Sequence, residues 1–451
     1  MQRGPLCIDL ESHIMSRGLY LLLLLSLFLE VNSSSTKGGK GPKSDKYVNW
    51  KTKNQTSPKD LSNPFYLNHT NEELPVTLSV YNLTDMNSNF GFNLYRKMAD
   101  KHDNNIFFSP FSMSFGLASL LLGAQGSTHK ELLHGLNLNA FDIPENPSLL
   151  HELIKKLRKG ITANDKLILD LGSFSFIHET FPIKEEFLNI SKQYLDMEYQ
   201  NIDFHNSSSK HIINNVVKKK SQGKIPDLYD EIDPQTKLLL LDYILFKGKW
   251  EYPFNPALTE METFFIDKYN SVQVPMMYKK DKVSSMFDKE LSCTVLKLDY
   301  KGNAHMLIVM PEKEGDFVTL EDHLTKELVD SWLHKMKSRK MDIFFPKFKL
   351  DQKYEMKKFL QELGIKNIFT GKANLTGMTE ERNIKLTEVT QRAVIDIDEK
   401  GTEAAAATGS EITAFSLPPT IKVNNPFLFM IYEETYKSLL FIGRVIDPTK
   451  P

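Results

Sequence analysis

The sequence is poor in cysteine, with only Cys7 and Cys293 among its 451 residues. Two cysteines supply no CxxC pair, no Cys/His metal spacing and no disulfide framework, so we expect no metal site and no disulfide-stapled scaffold. Cys293 lies in an apolar alternation without a neighbouring base or helix start to lower its pKa. A buried structural thiol is therefore favoured there over a reactive one.

An excess of charge of either sign is also missing. Lys and Arg number 56 and Asp and Glu number 57, which gives a formal net charge of -1. A balanced chain offers no whole-protein field for nucleic acid or anionic lipid, so we expect no nucleic-acid binding, and a polyanion site requires a local basic cluster. With 41% hydrophobic and 25% charged residues, the composition is that of a folded globular protein.

Common catalytic motifs are absent as well. The sequence contains no GxSxG elbow, no GxxxxGK[ST] phosphate loop, no HExxH helix and no GxGxxG turn. Its 12 histidines are scattered, and none marks a serine or cysteine partner. We therefore predict that the protein is not an enzyme, although a triad assembled from distant residues would escape a motif search.

One short apolar run lies near the N-terminus, at 19–29, between Arg17 and a polar stretch of Asn and Ser. Its length matches the h-region of a signal peptide and is too short to span a bilayer; a membrane anchor is the alternative. Met15 offers a second start for translation. The sequence therefore predicts a signal-peptide region over 1–35 and a secreted, extracellular protein of the plasma that does not insert into membranes.

The next segment, 36–83, is rich in Lys, Asn, Ser, Thr and Pro and lacks hydrophobic periodicity. This composition predicts a flexible polar tail before a domain over 84–451. In a secreted protein, Asn-x-Ser/Thr triplets are acceptors for glycans and must lie at the surface. The predicted acceptors, of which we expect a subset to be used, are Asn54, Asn68, Asn82, Asn189, Asn206 and Asn374.

Beyond the tail, strand-like and helical spacings alternate without an internal repeat. Strands are predicted at 106–110, 167–171, 173–177, 238–246, 293–298, 305–310, 341–345, 393–397, 427–432 and 439–445. Helices are predicted at 90–99, 114–121, 148–159, 183–194, 209–221, 320–337 and 354–363. Long mixed strands with helices grouped between them indicate an α+β fold in one domain.

One segment, 398–410, combines Gly401-Thr402-Glu403 with four alanines. On a strand, Thr402 and every second residue after it would form a face of small uncharged side chains that could enter a sheet without a clash. An Ala-rich linker is the alternative, but strands on both sides indicate an exposed loop that interrupts a folded sheet. The hinge of this loop is Glu399, Gly401, Thr402, Glu403, Ala404, Ala405, Ala406, Ala407 and Thr408.

This hinge resembles that of the reactive centre loop in inhibitory serpins of the clade A type. The motifs that follow the same family in chain order are NIFFSPFS at 105–112, FKGKW at 246–250, VPMM at 274–277, FPKF at 345–348, NPF at 425–427 and FIGRV at 441–445. The resemblance covers about 83–448 and departs from the family at 215–217, where many members carry a tryptophan. It implies a serpin fold of three β-sheets with eight or nine helices and an exposed loop at about 399–420.

The resemblance implies a suicide substrate: a serine protease cleaves the loop and is trapped as an acyl-enzyme when the hinge inserts as a new strand. In inhibitory members the seventeenth residue from the hinge Glu precedes the cleaved bond, which places that bond at Phe415-Ser416. Phenylalanine there suits the apolar pocket of a chymotrypsin-like protease. The alternatives are an inhibitor of such a protease and a non-inhibitory secreted carrier.

Within the serpin family, three features resemble those of a member that acts in blood coagulation and haemostasis. They are the polar N-terminal tail, the aromatic residue followed by Ser at the cleaved bond, and Pro418-Pro419 just after it. That member inhibits factor Xa together with protein Z, calcium and phospholipid, and factor XIa without them. The resemblance implies a monomer with no intrinsic cofactor and with protein Z as an activating partner. Its docking positions fall on Tyr269 and Asp322, for which ordinary surface residues are the alternative.

A basic cluster is predicted on one helix, at 148–159. Opposite a stripe of leucines and an isoleucine at helical spacing, the expected cations are His151, Lys155, Lys156, Arg158 and Lys159. In heparin-dependent serpins the corresponding helix carries the glycosaminoglycan site, so these residues are the predicted heparin site and heparin a second activating partner. A solvated charged face is the alternative, and it is the favoured interpretation for Lys218-Lys219-Lys220.

Overall fold

The structure is a computed structural model that describes residues 78–225, 227–313, 316–401 and 418–451. Chain contacts divide the protein after Glu73, and all described residues belong to the second unit, Leu74–Pro451. The predicted signal region, Asn54, Asn68, the hinge from Thr402 to Thr408 and the bond Phe415-Ser416 therefore lie outside the described residues.

The described part contains nine α-helices and fourteen strands. The helices are α1 (Val80–Ala99), α2 (Pro110–Leu121), α3 (Gly126–Gly135), α4 (Leu149–Thr162), α5 (Glu185–Leu195), α6 (Ser209–Lys220), α7 (Asp316–His323), α8 (Lys326–Lys335) and α9 (Lys357–Glu362). The strands are β1 (Ile106–Phe108), β2 (Leu167–His178), β3 (Glu198–Ile202), β4 (Leu238–Gly248), β5 (Glu260–Phe265), β6 (Ser271–Asp288), β7 (Cys293–Tyr300), β8 (Ala304–Pro311), β9 (Lys337–Pro346), β10 (Phe348–Glu355), β11 (Leu386–Ile397), β12 (Thr420–Lys422), β13 (Phe427–Glu433) and β14 (Ser438–Val445).

These strands form two hydrogen-bonded sheets. One has five strands in the order β10-β11-β4-β2-β3, and the other follows β1-β14-β13-β8-β7-β6-β9-β12 with β5 attached to β6. The α+β fold class is confirmed. The three sheets expected from the resemblance appear as two continuous ladders, because the 18 residues of β6 pair with β5 and β9 along one part and with β7 along the other.

The core contains α2, whose twelve residues are all buried. A helix that is apolar all round must be covered on every side, and its start is fixed by Ser109, whose side chain accepts a hydrogen bond from the Ser112 backbone N–H. Beside it, the ring of Phe107 stacks on Phe429 at 5.6 Å and on Phe441 at 5.1 Å between centroids. Cys293 is also buried, and burial raises the pKa of its thiol to about 12, as expected for a structural cysteine.

Several element boundaries differ from the predictions. Helix α1 begins at Val80, inside the segment assigned to the tail, because Val80 and Leu83 pack into the core. The helix predicted at 320–337 is two helices and the start of β9, since the Thr325 side chain caps α8 by accepting from the Leu328 N–H. The helix predicted at 354–363 shrinks to α9, because its first two residues belong to β10.

Candidate functional site

The five-stranded sheet contains a parallel seam at its centre. Strands β4 and β11 run parallel, in register from the pair Leu238 and Leu386 to the pair Phe246 and Ile395. Their outer neighbours are antiparallel: β2 pairs with β4, and β10 with β11. Because parallel pairing is slightly less stable per residue, a strand running the opposite way could enter this seam and gain antiparallel bonds on both sides.

The chain leaves β11 through a segment that is fastened to the end of β4. The Trp250 indole N–H donates to the Asp398 carbonyl at 2.9 Å, and the Trp250 backbone N–H donates to the Lys400 carbonyl at 3.2 Å. At Gly401 the backbone has φ +102°, and a Cβ there would lie 2.2 Å from the Gly248 carbonyl oxygen. Only glycine fits this turn, because both the torsion and the space exclude a side chain.

The predicted hinge residue Glu399 is buried at the same end of the seam. Lys347 Nζ lies 2.8 Å from Glu399 Oε2, and the Thr259 hydroxyl donates to Oε1 at 2.7 Å. Burial opposes ionisation, but the hydrogen bonds from Lys347 and Thr259 outweigh it and hold the pKa of Glu399 below its ordinary value. The carboxylate therefore ties the start of the hinge to the residue between β9 and β10 and to the residue before β5.

Polar groups are buried in the middle of the seam, where Asp242 on β4 and Gln391 on β11 are register partners. The Gln391 amide exchanges two hydrogen bonds with the backbone of Ser109, at 2.9 and 3.0 Å. The Asp242 Oδ1 accepts from the Ser173 hydroxyl, whereas its Oδ2 has no partner within the described structure. Burial raises the pKa of Asp242 to about 7. Asp242 was not among the predicted site residues, although an aspartate inside the apolar run Leu238–Gly248 was the available signal.

The comparisons with known proteins decide the family. The family model described as Serpin (serine protease inhibitor) matches residues 85–448. The chain belongs to the serpin family. Human protein Z-dependent protease inhibitor is 53% identical over 364 residues, which are 80% of this chain and 82% of that protein. The resemblance stated from the sequence is thus confirmed, and so is the prediction of an inhibitor rather than an enzyme.

Solved structures agree with this serpin assignment. The crystal structure of mouse protein Z-dependent protease inhibitor has a TM-score of 0.78 at 49% identity and covers 82% of this chain and 98% of its own. Human thyroxine-binding globulin in complex with thyroxine has a TM-score of 0.77 at 35% identity and covers 82% of this chain and 100% of its own. The serpin fold alone therefore does not separate an inhibitor from a carrier.

The predicted basic helix of this serpin is α4. Its structure shows that the prediction was wrong for two of the five residues named as exposed cations. His151 does not join the exposed cations: it is buried beside Ile154 and Leu157, and burial lowers its pKa to about 4. Arg158 is mostly buried and donates to the Leu195 carbonyl, with its other nitrogen 3.3 Å from Asp196. The predicted cations that remain exposed are Lys155, Lys156 and Lys159.

The other predicted positions lie at the serpin surface to different degrees. Tyr269 is 86% exposed on the turn between β5 and β6, and Asp322 is exposed on α7. Asn189 on α5 and Asn206 before α6 are exposed, whereas Asn82 and Asn374 are half-buried. Asn82 also accepts hydrogen bonds from the Ser79 N–H and hydroxyl at the start of α1. No helix of the described residues is long and apolar enough to cross a bilayer.

Proposed function

We propose that this serpin traps serine proteases after cleavage at Phe415-Ser416, by inserting its hinge between β4 and β11. The observation that carries the proposal is the parallel seam, because the predicted hinge follows β11 directly and the seam accepts a strand that reverses direction after β11. The small face of Thr402, Ala404 and Ala406 suits a strand that enters a packed sheet. Insertion then supplies the free energy that distorts the bound protease before the acyl bond is hydrolysed.

The proposed targets are factor Xa, with protein Z, calcium and phospholipid, and factor XIa without them. Identity of 53% to human protein Z-dependent protease inhibitor supports this choice. A protease whose specificity pocket prefers Arg should cleave slowly after Phe415 when no cofactor is present. A cofactor that holds protease and inhibitor together raises the effective concentration and compensates for the poor fit at this residue.

We propose Tyr269 and Asp322 as docking positions for protein Z. Exposed apolar side chains lie on the same elements: Val318 precedes Asp322 by about one turn of α7 and is 66% exposed, and Phe265 at the end of β5 is also exposed. A pocket of about 440 Å³ lies between these elements and is lined by Phe265 and Phe317 among others. Exposed apolar groups beside an open pocket are typical of a protein-binding surface.

A second proposed activator is heparin, bound by Lys155, Lys156 and Lys159 of α4. These lysines lie within about one and a half helical turns and are exposed, which suits ionic contact with sulfates. The variant Lys155→Glu/Lys156→Glu/Lys159→Glu should elute from immobilised heparin at lower salt than the parent chain. Inhibition without heparin should stay unchanged, and an unchanged elution would remove α4 as a heparin site.

We also propose that the protein is a secreted plasma glycoprotein. The apolar run at 19–29 has the length of a signal peptide, and the exposed Asn189 and Asn206 are accessible for glycosylation. The side-chain Oδ1 of Asn206 accepts from the Ser208 N–H and hydroxyl, which leaves its amide nitrogen, the atom that would carry the glycan, without a partner among the described residues.

The experiment that tests inhibition incubates the full chain with factor XIa, with chymotrypsin, and with factor Xa with and without protein Z, calcium and phospholipid. An inhibitor gives a complex that survives SDS, with protein Z accelerating the reaction of factor Xa. A carrier related in fold to thyroxine-binding globulin gives only cleaved chain with active protease, and that result would refute the proposal. A complex with chymotrypsin alone would keep the mechanism and reject the coagulation targets.

A further inference from the structure

A second basic cluster lies on the paired strands β6 and β9, outside α4. Strand β6 contributes Lys280 and Lys282, and β9 contributes Lys337, Arg339 and Lys340; all five are exposed. The pairing register sets Lys282 directly opposite Lys340. These five residues are named the β6–β9 basic patch. Like charges placed opposite each other on one face of a sheet destabilise it, so the pair Lys282 and Lys340 is not explained by strand pairing.

The carboxylates beside the β6–β9 basic patch are already engaged. Asp342 accepts a hydrogen bond from the Tyr278 hydroxyl at 2.9 Å and pairs with Lys280 at 3.6 Å. Asp281 pairs with the buried Lys279 at 3.4 Å. Within the described residues, Lys282, Lys337, Arg339 and Lys340 have no carboxylate at ion-pair distance. The patch therefore presents four cations that no neighbouring carboxylate neutralises.

The patch follows a stretch of β9 that has no second neighbouring strand among the described residues. Strand β12 covers β9 only from Asp342 to Phe344, so the segment from Lys337 to Met341 has one neighbouring strand in the described structure. Alternation along β9 directs Lys340 to the face of Lys282 and directs Lys337 and Arg339 the other way. The cations thus line both sides of a ridge about 10 Å long at 3.3 Å per residue.

We propose that the β6–β9 basic patch binds a sulfated polysaccharide chain at a site separate from α4. A ridge of unpaired point charges suits a linear polymer with repeating anions, because one chain can contact both sides of the ridge. A single phosphate suits it less, since no described backbone N–H cradle or buried polar side chain converges there. The inference is independent of protease inhibition, because it requires only the described strands.

Two other roles predict different results. In the first alternative, the lysines bind no ligand and serve only to prevent edge-to-edge pairing between copies of the chain. Alternatively, the patch can contact an acidic surface of the bound protease, because Asp342 pairs with Thr420, four residues after Ser416.

The test measures retention of the full chain on immobilised heparin and its Kd for heparin at physiological salt. The variant Lys282→Glu/Lys340→Glu should elute at lower NaCl, with a Kd weakened about tenfold for two lost exposed ion pairs. A matched control, Lys358→Glu/Lys372→Glu, changes the net charge equally at exposed lysines outside the patch. The neutral variant Lys282→Gln/Lys340→Gln relieves the like-charge contact, so it keeps the fold and should show a smaller loss.

The proposal is overturned if both patch variants elute with the control. Unchanged elution with aggregation of the variants would assign the patch to edge protection. Unchanged elution with slower, salt-dependent inhibition of the protease would assign it to protease contact. If only Lys155→Glu/Lys156→Glu/Lys159→Glu loses retention, the patch proposal fails while the heparin site on α4 stands.

Discussion

The centres of β13 and β14 pack side chains such as Leu428, Phe429 and Ile442, whereas the seam of the other sheet buries Asp242 and Gln391 between β4 and β11. The first region is antiparallel, and its aromatic rings stack on Phe107. The second is parallel, and one carboxylate oxygen of Asp242 has no hydrogen-bond partner among the described residues. Dense apolar packing has one arrangement of low free energy. A parallel seam that buries incompletely hydrogen-bonded polar groups has a higher free energy, which a newly inserted strand can lower. The contrast predicts that the first region stabilises the fold and that the second is the region that changes conformation in the proposed insertion.

The largest expected effect comes from a charge on the inserting face. Thr402→Arg would bury an unpaired cation when the hinge enters the seam, at a cost of several kcal/mol. Cleavage at Phe415-Ser416 should persist, but the acyl-enzyme should hydrolyse before insertion, so the variant becomes a substrate. A denaturing gel checks for the stable complex and an activity assay for recovered protease.

The matched control for this hinge variant is Ala405→Arg, whose side chain would alternate to the opposite face. It should still trap protease. Trapping by Thr402→Arg at the parent's efficiency would show that insertion of this hinge is not the mechanism.

A cavity in the apolar region should lower stability without changing the mechanism. Phe107→Ala removes the ring stacked on Phe429 and Phe441 and should cost about 3–5 kcal/mol of unfolding free energy. Denaturant unfolding measures the loss, and the fraction of cleaved loop that ends as complex should match the parent where the variant is folded. A shift of that fraction toward substrate would mean that the two regions are coupled.

In the seam, removing the buried charge should stabilise the protein. Because burial raises the pKa of Asp242 from 3.8 to about 7, the parent loses stability as the pH rises from about 4 through 7, by at most about 4 kcal/mol. Asp242→Asn should abolish this loss, so the variant should melt higher above pH 7 and nearly equal to the parent near pH 4. A difference independent of pH would contradict the assignment. The tighter seam should also open more slowly and trap protease less efficiently.

The smallest effect is expected at the end of the seam. Glu399→Gln removes the charge paired with Lys347 and should cost about 1–2 kcal/mol. Since the pKa of Glu399 is lowered, the parent's advantage is present above the ordinary carboxylate pKa and is lost as the pH falls below it. Thermal melting at several pH values checks this. Lys422→Gln, which breaks the ion pair with Glu262 on the other sheet, is the control and should change stability by less than about 1 kcal/mol.

Sequence patterns located the regular elements well where a continuous apolar run is buried along its length. The run at 238–246 became β4 almost unchanged, whereas the helix predicted at 114–121 begins four residues earlier, at Pro110, because the Ser109 side chain caps it there. Strand β6 was missed because its middle carries Lys279, Lys280 and Lys282, which resemble a solvated loop until β9 is seen beside them. Whether such a charged segment forms a strand is decided by pairing partners that are distant in the chain.

The candidate site was predicted unevenly for the same reason. Glu399 and Gly401 were identified from the hinge pattern, and the structure explains them by contacts with Lys347 and Gly248 that no local pattern contains. His151 was misplaced although it precedes Ile154 by three residues, a spacing that puts both on one helix face. The role of Asp242 depends on Ser173 and Gln391, and only the sheet brings these three together.

The short strand β12 has a consequence for the reverse reaction. Its three residues, Thr420 to Lys422, pair with β9 in the nine-stranded sheet, while β11 belongs to the five-stranded one. Under the proposed mechanism, cleavage leaves the new amine at Ser416 four residues before β12 in the sequence, whereas the acyl group at Phe415 would move away with the inserting hinge. Resynthesis of the bond needs both groups at high effective molarity, and insertion of the hinge would remove that proximity. Separation of the two groups would therefore make the proposed trapping effectively irreversible.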